Sequence, residues 1–101
     1  MPTLYRYFGI TILFYARDHL PIHVHGKYQD TEMKAEFEVI DGNVVSIRFA
    51  DVVGKGPLPT AQYKRFKRLV ESKSQEIVSK WMDYFVLNKE ITTEVITSDK
   101  L

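Results

Sequence analysis

The fold is indicated most clearly by residues 33–49, which read MKAEFEVIDGNVVSIRF. The first part of this stretch alternates apolar and charged side chains, which is the two-residue period of a strand with one buried face. Asp41 and Gly42 follow, a pair that favours the tight turn of a two-residue hairpin. Alternation then resumes, and the buried side chains of the return strand are expected at Val45, Ile47 and Phe49. The stretch therefore predicts an antiparallel hairpin.

Two further strands are predicted upstream of this hairpin. Residues 4–17 are rich in β-branched and aromatic side chains and are largely apolar on both faces, which favours a central strand. Pro21 interrupts the pattern because it lacks an amide hydrogen and keeps the preceding residue out of helical geometry. Residues 22–28 alternate again and place His23 and His25 on one face. The sequence thus predicts a four-stranded antiparallel meander.

The period changes after the loop of residues 50–59, where glycine and proline exclude regular structure. Residues 60–89 carry an apolar stripe at helical spacing, so they are expected to pack on one face of the sheet as one long helix or two short ones. Residues 90–101 contain a β-branched segment that fits a fifth strand or a tail ordered by a partner. With the sheet at residues 4–49, the 101 residues are interpreted as one α+β domain.

Composition restricts the classes of function. The chain is 45% hydrophobic and 27% charged, as globular proteins are. Its net charge of +1 gives the molecule as a whole no reason to bind nucleic acid. The apolar runs fall short of the roughly 20 residues that span a bilayer, and the amino terminus lacks a secretory signal pattern. A cytoplasmic protein without membrane contact is expected.

A local basic patch is predicted in the first turns of the helical region, at Lys64, Arg65, Lys67 and Arg68. It could contact RNA phosphates or an acidic partner, with each charge screened by salt. The alternative is a solvated helix face, which we favour because Glu71 and Glu76 dilute the positive field.

The histidines are the main functional signal, because all three lie between Asp18 and His25. Pairing of the strands at residues 22–28 and 33–40 through an Asp30-Thr31 turn matches their apolar faces. The same register sets His25 opposite Glu36 and His23 opposite Glu38. Two imidazoles and two carboxylates are therefore expected to converge.

A shared metal ion is one interpretation of this convergence. Residues i and i+2 of a strand lie about 6 to 7 Å apart at the backbone, which suits a His-x-His pair on one divalent ion. Zinc is the first expectation, and without cysteine the ligands are limited to His, Asp and Glu. Asp18 or His19 could complete the site if the Pro21 turn folds back over the strand. The predicted ligands are His23, His25, Glu36 and Glu38.

Two other interpretations of the histidines stay open at this point. His23 and His25 could act without a metal as base and acid on a ribose hydroxyl and its leaving oxygen, with Arg17 or Lys27 stabilising the phosphate. Alternatively, the histidines form solvent-facing cross-strand pairs that stabilise the sheet by no more than about 0.2 to 1 kcal/mol each.

The same region carries a family resemblance. Gly9-Ile10, Tyr15, the stretch from Asp18 to His25, and Tyr28 resemble the bacterial family catalogued as domain of unknown function 4160. The most specific element is the pattern Asp-His-x-Pro-x-His-x-His. The family has no settled activity. The resemblance implies a small prokaryotic protein whose genes often lie beside those of another small domain, in an arrangement likened to toxin-antitoxin pairs.

Two functional hypotheses follow. The first is an interaction module that works through a small partner protein or through self-association, with the segment Ile91 to Thr97 as the expected edge for contact. The second is a ribonuclease or other phosphodiesterase that acts at the face of His23 and His25, with or without a metal.

Overall fold

A six-stranded mixed sheet runs through the part of the protein that the structure, a computed structural model, describes: residues 2–99 and 101. The strands are β1 (Thr3–Tyr7), β2 (Ile10–Leu13), β3 (His23–Tyr28), β4 (Thr31–Ile40), β5 (Asn43–Asp51) and β6 (Glu94–Ile96). Their order across the sheet is β5-β4-β3-β2-β1-β6. Between β5 and β6 lie α1 (Thr60–Ser72) and α2 (Ser74–Trp81), and α2 continues into a π-helical turn at Met82–Val86. The predicted α+β class is confirmed.

The first predicted strand is two strands joined by a hairpin. Phe8 and Gly9 form its turn with φ angles of 48° and 82°, the left-handed conformations of a type I′ turn. β1 and β2 pair antiparallel on either side of it. Apolar residues continue across the turn because both strands are buried, and this continuity concealed the break in the sequence pattern.

The predicted meander describes β1 to β5, and β6 adds a parallel strand. Of the two expectations for the segment that follows the helices, a further strand of the same sheet is the one observed. β6 pairs with β1 so that Tyr5 lies beside Glu94 and Tyr7 beside Ile96. The Thr93 hydroxyl donates to the Thr3 carbonyl at 2.8 Å, which fixes the start of this pairing.

The hairpin of β4 and β5 forms as predicted, with Asp41 and Gly42 in its turn. One expected core position was wrong, since Val45 is 52% exposed. The register shifts between Glu38 and Val39, so that Val39 pairs with Val44 and Glu38 with Ser46. Val45 is the extra residue of this bulge, and such a residue is left out of the strand pairing.

Two helices cover one face of the sheet. The alternatives of one long helix and two short ones resolve into two, separated at Lys73, whose φ is −108°. Their buried residues are Phe66, Leu69, Val70, Ile77, Val78 and Trp81. Gly26 of β3 permits close packing, because a Cβ at this position would lie 2.6 Å from the Phe66 ring. Neither these helices nor any other in residues 2–99 and 101 is long and apolar enough to cross a membrane.

Candidate metal centre

The hairpin of β3 and β4 sets the positions of the histidines. Its turn consists of Gln29 and Asp30, with Tyr28 paired to Thr31. The Thr31 hydroxyl donates to the Tyr28 carbonyl at 2.6 Å, and Gln29 adopts a φ of 53°. The turn therefore begins one residue earlier than the predicted Asp30-Thr31 turn, and this moves every cross-strand pair by two positions.

The predicted pairs of His25 with Glu36 and of His23 with Glu38 were consequently wrong. His23 lies opposite Glu36, and His25 lies opposite Lys34. The Glu36 carboxylate forms ion pairs with Arg48 and Lys34. Glu38 accepts a hydrogen bond from the Ser46 hydroxyl at 3.0 Å. These contacts occupy both glutamates that the sequence had suggested as ligands.

Asp18 instead lies against the two histidines. The chain turns back after β2 because the Asp18 amide donates to the Tyr15 carbonyl at 3.0 Å, while Asp18 Oδ2 accepts from the Tyr15 amide at 2.8 Å. The other oxygen, Oδ1, lies 3.3 Å from His23 Nε2 and 3.5 Å from His25 Nε2. One ligand atom from each of the three residues lies within 4.8 Å of the other two. The Pro21 turn thus folds back as the sequence hypothesis required.

The backbone determines which nitrogen of His23 can bind a metal. His23 Nδ1 lies 2.8 Å from the Pro21 carbonyl oxygen. A carbonyl oxygen only accepts, so we assign the proton of the neutral ring to Nδ1. Nε2 then presents its lone pair toward Asp18.

Glu32 lies beside Nδ1 of His25, as the Pro21 carbonyl does beside Nδ1 of His23. His25 Nδ1 lies 3.2 Å from Glu32 Oε2, and the Tyr15 hydroxyl donates to both oxygens of that carboxylate at 3.0 and 3.1 Å. A carboxylate behind a histidine ring is the arrangement that orients metal-binding imidazoles, because it holds the proton on the outer nitrogen. The 3.2 Å contact lacks hydrogen-bond geometry, but a carboxylate at this position favours the proton on Nδ1 of a neutral ring. The inner Nε2 then faces Asp18 Oδ1 as a lone pair.

The buried ring nitrogens of His25 lack hydrogen-bond partners in the part of the chain that the structure describes. His25 is 8% exposed, and neither of its ring nitrogens makes a hydrogen bond of acceptable geometry within the described residues. Burial lowers the pKa of His25, an effect that Asp18 and Glu32 oppose. Neutral rings leave two lone pairs directed at a carboxylate oxygen, and unsatisfied buried polar atoms are unfavourable. A cation among the three atoms would bind both lone pairs and the carboxylate oxygen.

The sequence missed Tyr15 and Glu32 as parts of the site. Glu32 precedes the expected start of its strand, and only the Gln29-Asp30 turn brings it diagonally across from His25. Among the cationic residues considered for phosphate binding, Arg17 is exposed and Lys27 pairs across the strands with Glu32. His19, a predicted binding residue, is also exposed and lies outside the group of three ligands.

The predicted basic patch is partly engaged within the protein. Arg65 and Arg68 lie 3.7 and 3.6 Å from Asp99 Oδ1, and the Arg65 guanidinium lies 4.3 Å from the centre of the Phe8 ring. Lys64 and Lys67 are exposed. A role of these four residues in binding RNA or a partner stays a prediction.

Comparison with known proteins gives a family and no activity. A family model described as "Domain of unknown function (DUF4160)" matches residues 9–82. This span runs from the start of β2 to just past α2 and includes Asp18, His23, His25 and Glu32. No curated protein and no solved structure matched.

Proposed function

The chain belongs to the family of domain of unknown function DUF4160, and from the histidine site within the matched region we propose that it is a metal-binding protein. It holds one divalent transition metal ion through Asp18 Oδ1, His23 Nε2 and His25 Nε2. The observation that carries this proposal is that one ligand atom from each of these residues lies within 4.8 Å of the other two, with Asp18 Oδ1 3.3 and 3.5 Å from the two Nε2 atoms. The Pro21 carbonyl lies 2.8 Å from His23 Nδ1 and the Glu32 carboxylate 3.2 Å from His25 Nδ1, positions that favour the inner nitrogens of neutral rings as lone pairs.

The ligand types favour a transition metal such as zinc over calcium and magnesium. Imidazole suits zinc, copper, iron and nickel, whereas calcium and magnesium prefer oxygen ligands alone. Three protein ligands are the number found in catalytic zinc sites, in which water or substrate takes the fourth position. This count supports the metal-dependent form of the phosphodiesterase hypothesis over the metal-free form, because both Nε2 atoms are directed to one point.

Metal analysis of two matched variants tests the proposal. The untagged wild-type protein, purified without chelator and dialysed against zinc, is expected to hold close to one zinc ion per chain. His23→Ala/His25→Ala is expected to lose it, because a single carboxylate remains. Glu36→Gln/Glu38→Gln serves as the control, since both glutamates contact groups outside the site. Zinc lost equally from both variants, or absent from the wild type, would refute the site.

An interaction module is the second candidate function, and the edge of the sheet supports it. β6 pairs with β1 on one side, and within the described residues its other side has no strand partner. Val95 in the middle of β6 is 65% exposed, and an apolar edge strand is a template for pairing with another chain. A toxin-antitoxin-like partnership and a cytoplasmic location stay predictions.

A charge placed on this edge tests the interaction hypothesis. Val95→Lys is expected to weaken self-association at least about tenfold in sedimentation equilibrium, because pairing would bury an unpaired ammonium group. Val53→Lys is the control, since Val53 is 100% exposed and lies in the loop after β5. Equal association of the two variants with the wild type would show that β6 is not the contact.

A further inference from the structure

An apolar cleft adjoins the candidate metal centre. Its volume is about 510 Å³, within the range of sites that take small organic ligands. Asp18 and His19 lie at one part of its lining. The remainder is apolar and consists of Leu20, Ile22, Trp81, Met82, Phe85 and Val86.

Two residues connect the cleft with the metal ligands. Asp18 lines the cleft and supplies Oδ1 to the ligand group. Trp81 lines the cleft as well, and its ring centre lies 5.5 Å from that of His23. A ligand in the cleft therefore has its polar end beside Asp18 and its apolar part against the π-helical turn.

We propose that the cleft binds a small alkanoate (acyl carboxylate). Its carboxylate group completes the coordination of the metal, and its hydrocarbon chain lies along the apolar wall. This inference rests on the proposed metal site. With two neutral imidazoles and one carboxylate as direct ligands, a divalent ion keeps a net positive charge and an open position, and a carboxylate oxygen can bind there. Apart from Asp18 and His19, the described residues of the lining offer no polar side chain to satisfy a polar chain, so an apolar one is selected.

Octanoate is the probe that tests this ligand class. Trp81 is the one tryptophan of the sequence, so its fluorescence reports occupancy of the cleft. Zinc-loaded protein is expected to bind octanoate at least about tenfold more tightly than chelator-treated protein, because the ion supplies the contact to the carboxylate. Butyrate, with four fewer methylenes, is expected to bind on the order of 100-fold more weakly. Octan-1-ol tests the need for the carboxylate and is expected to bind weakly.

Variants separate failure of the cleft from failure of the metal site. Val86→Asp alters an exposed residue of the cleft and is expected to abolish octanoate binding while zinc content stays at the wild-type level. Val53→Asp, the same change in the loop after β5, is expected to retain both. Zinc bound normally with octanoate binding indifferent to zinc or to Val86→Asp would overturn the inference and leave the metal site intact. Octanol binding as tightly as octanoate would do the same.

A peptide carboxyl terminus carries similar chemistry. N-acetyl-alanyl-alanyl-leucine is therefore compared with octanoate at the same zinc occupancy. Octanoate is expected to bind more tightly, because its chain is apolar throughout. Tighter binding of the peptide would assign the cleft to a protein terminus and overturn the assignment to a small acyl carboxylate.

Discussion

At the scale of single residues, Glu32 and Tyr15 form the layer behind the His25 ring. Glu32 is buried, and the Tyr15 hydroxyl donates to both of its oxygens. The pKa of Tyr15 is raised to about 12. Desolvation by burial is the larger cause, and the hydrogen bond to Glu32 is the second. Tyr15 thus stays a hydrogen-bond donor at all physiological pH values, and it fixes the position of the Glu32 carboxylate 3.2 Å from His25 Nδ1.

Glu32→Gln tests this role in metal binding. Loss of the carboxylate behind His25 is expected to lower zinc affinity about 10- to 100-fold, because partners behind the ligands orient metal-binding rings and raise their basicity. Competition with a chromogenic chelator measures the change. Tyr15→Phe, which keeps the carboxylate and removes only its hydroxyl donor, is expected to cost less. Unchanged affinity in Glu32→Gln would remove Glu32 from the site.

At the scale of strands and turns, alternation of apolar and polar residues predicted where the strands lie. It did not predict the turns and the strand register that depend on the backbone conformation of a single residue. The pair Asp41-Gly42 predicts its turn because both residues tolerate positive φ. Phe8 and Gln29 also adopt positive φ, and as larger side chains that rarely do so they give no such signal. The first hairpin and the register of the second were therefore mispredicted.

The candidate site was likewise predicted in part from alternation and missed in part. His23 and His25 could be identified from alternation, which requires only that they share a face of one strand. Their partners depend on register and on the path of a loop, since Asp18 reaches them through a local turn with Tyr15. A shift of the turn by one residue replaced the expected glutamates by Lys34 and Glu36 opposite the histidines. The Asp18 alternative needed the loop geometry, which no periodicity encodes.

At the scale of the whole molecule, the proposed metal site joins separate parts of the sheet. Asp18 belongs to the loop after β2, the histidines to β3, and the supporting Glu32 to β4. An ion bound by these residues binds only the folded chain, so its binding free energy adds to the free energy of unfolding. The free energy of unfolding therefore depends on metal binding and on pH. The lowered pKa of His25 gives the direction of the pH effect.

The linkage predicts opposite roles for protons and zinc. At pH 7.5, free zinc at 100 times its dissociation constant is expected to raise the free energy of unfolding by about 2.7 kcal/mol. That gain falls as the pH drops below about 6.5, because protons compete for the imidazoles. Without metal, burial lowers the pKa of His25 in the folded protein, so the unfolded chain binds the proton more readily. The contribution of neutral His25 to the stability of the metal-free fold is then fully present above about pH 6.5, and it is lost as the pH falls from there toward the folded pKa.

Urea denaturation at pH 7.5 and 5.5, with zinc or with chelator, measures both effects. His25→Asn is the control, because it removes the buried titrating group and a metal ligand together. It is expected to lose the zinc gain and to show a smaller loss of stability between the two pH values. The same zinc gain in this variant would place the ion elsewhere, and the same pH dependence would show that protonation of His25 does not oppose folding.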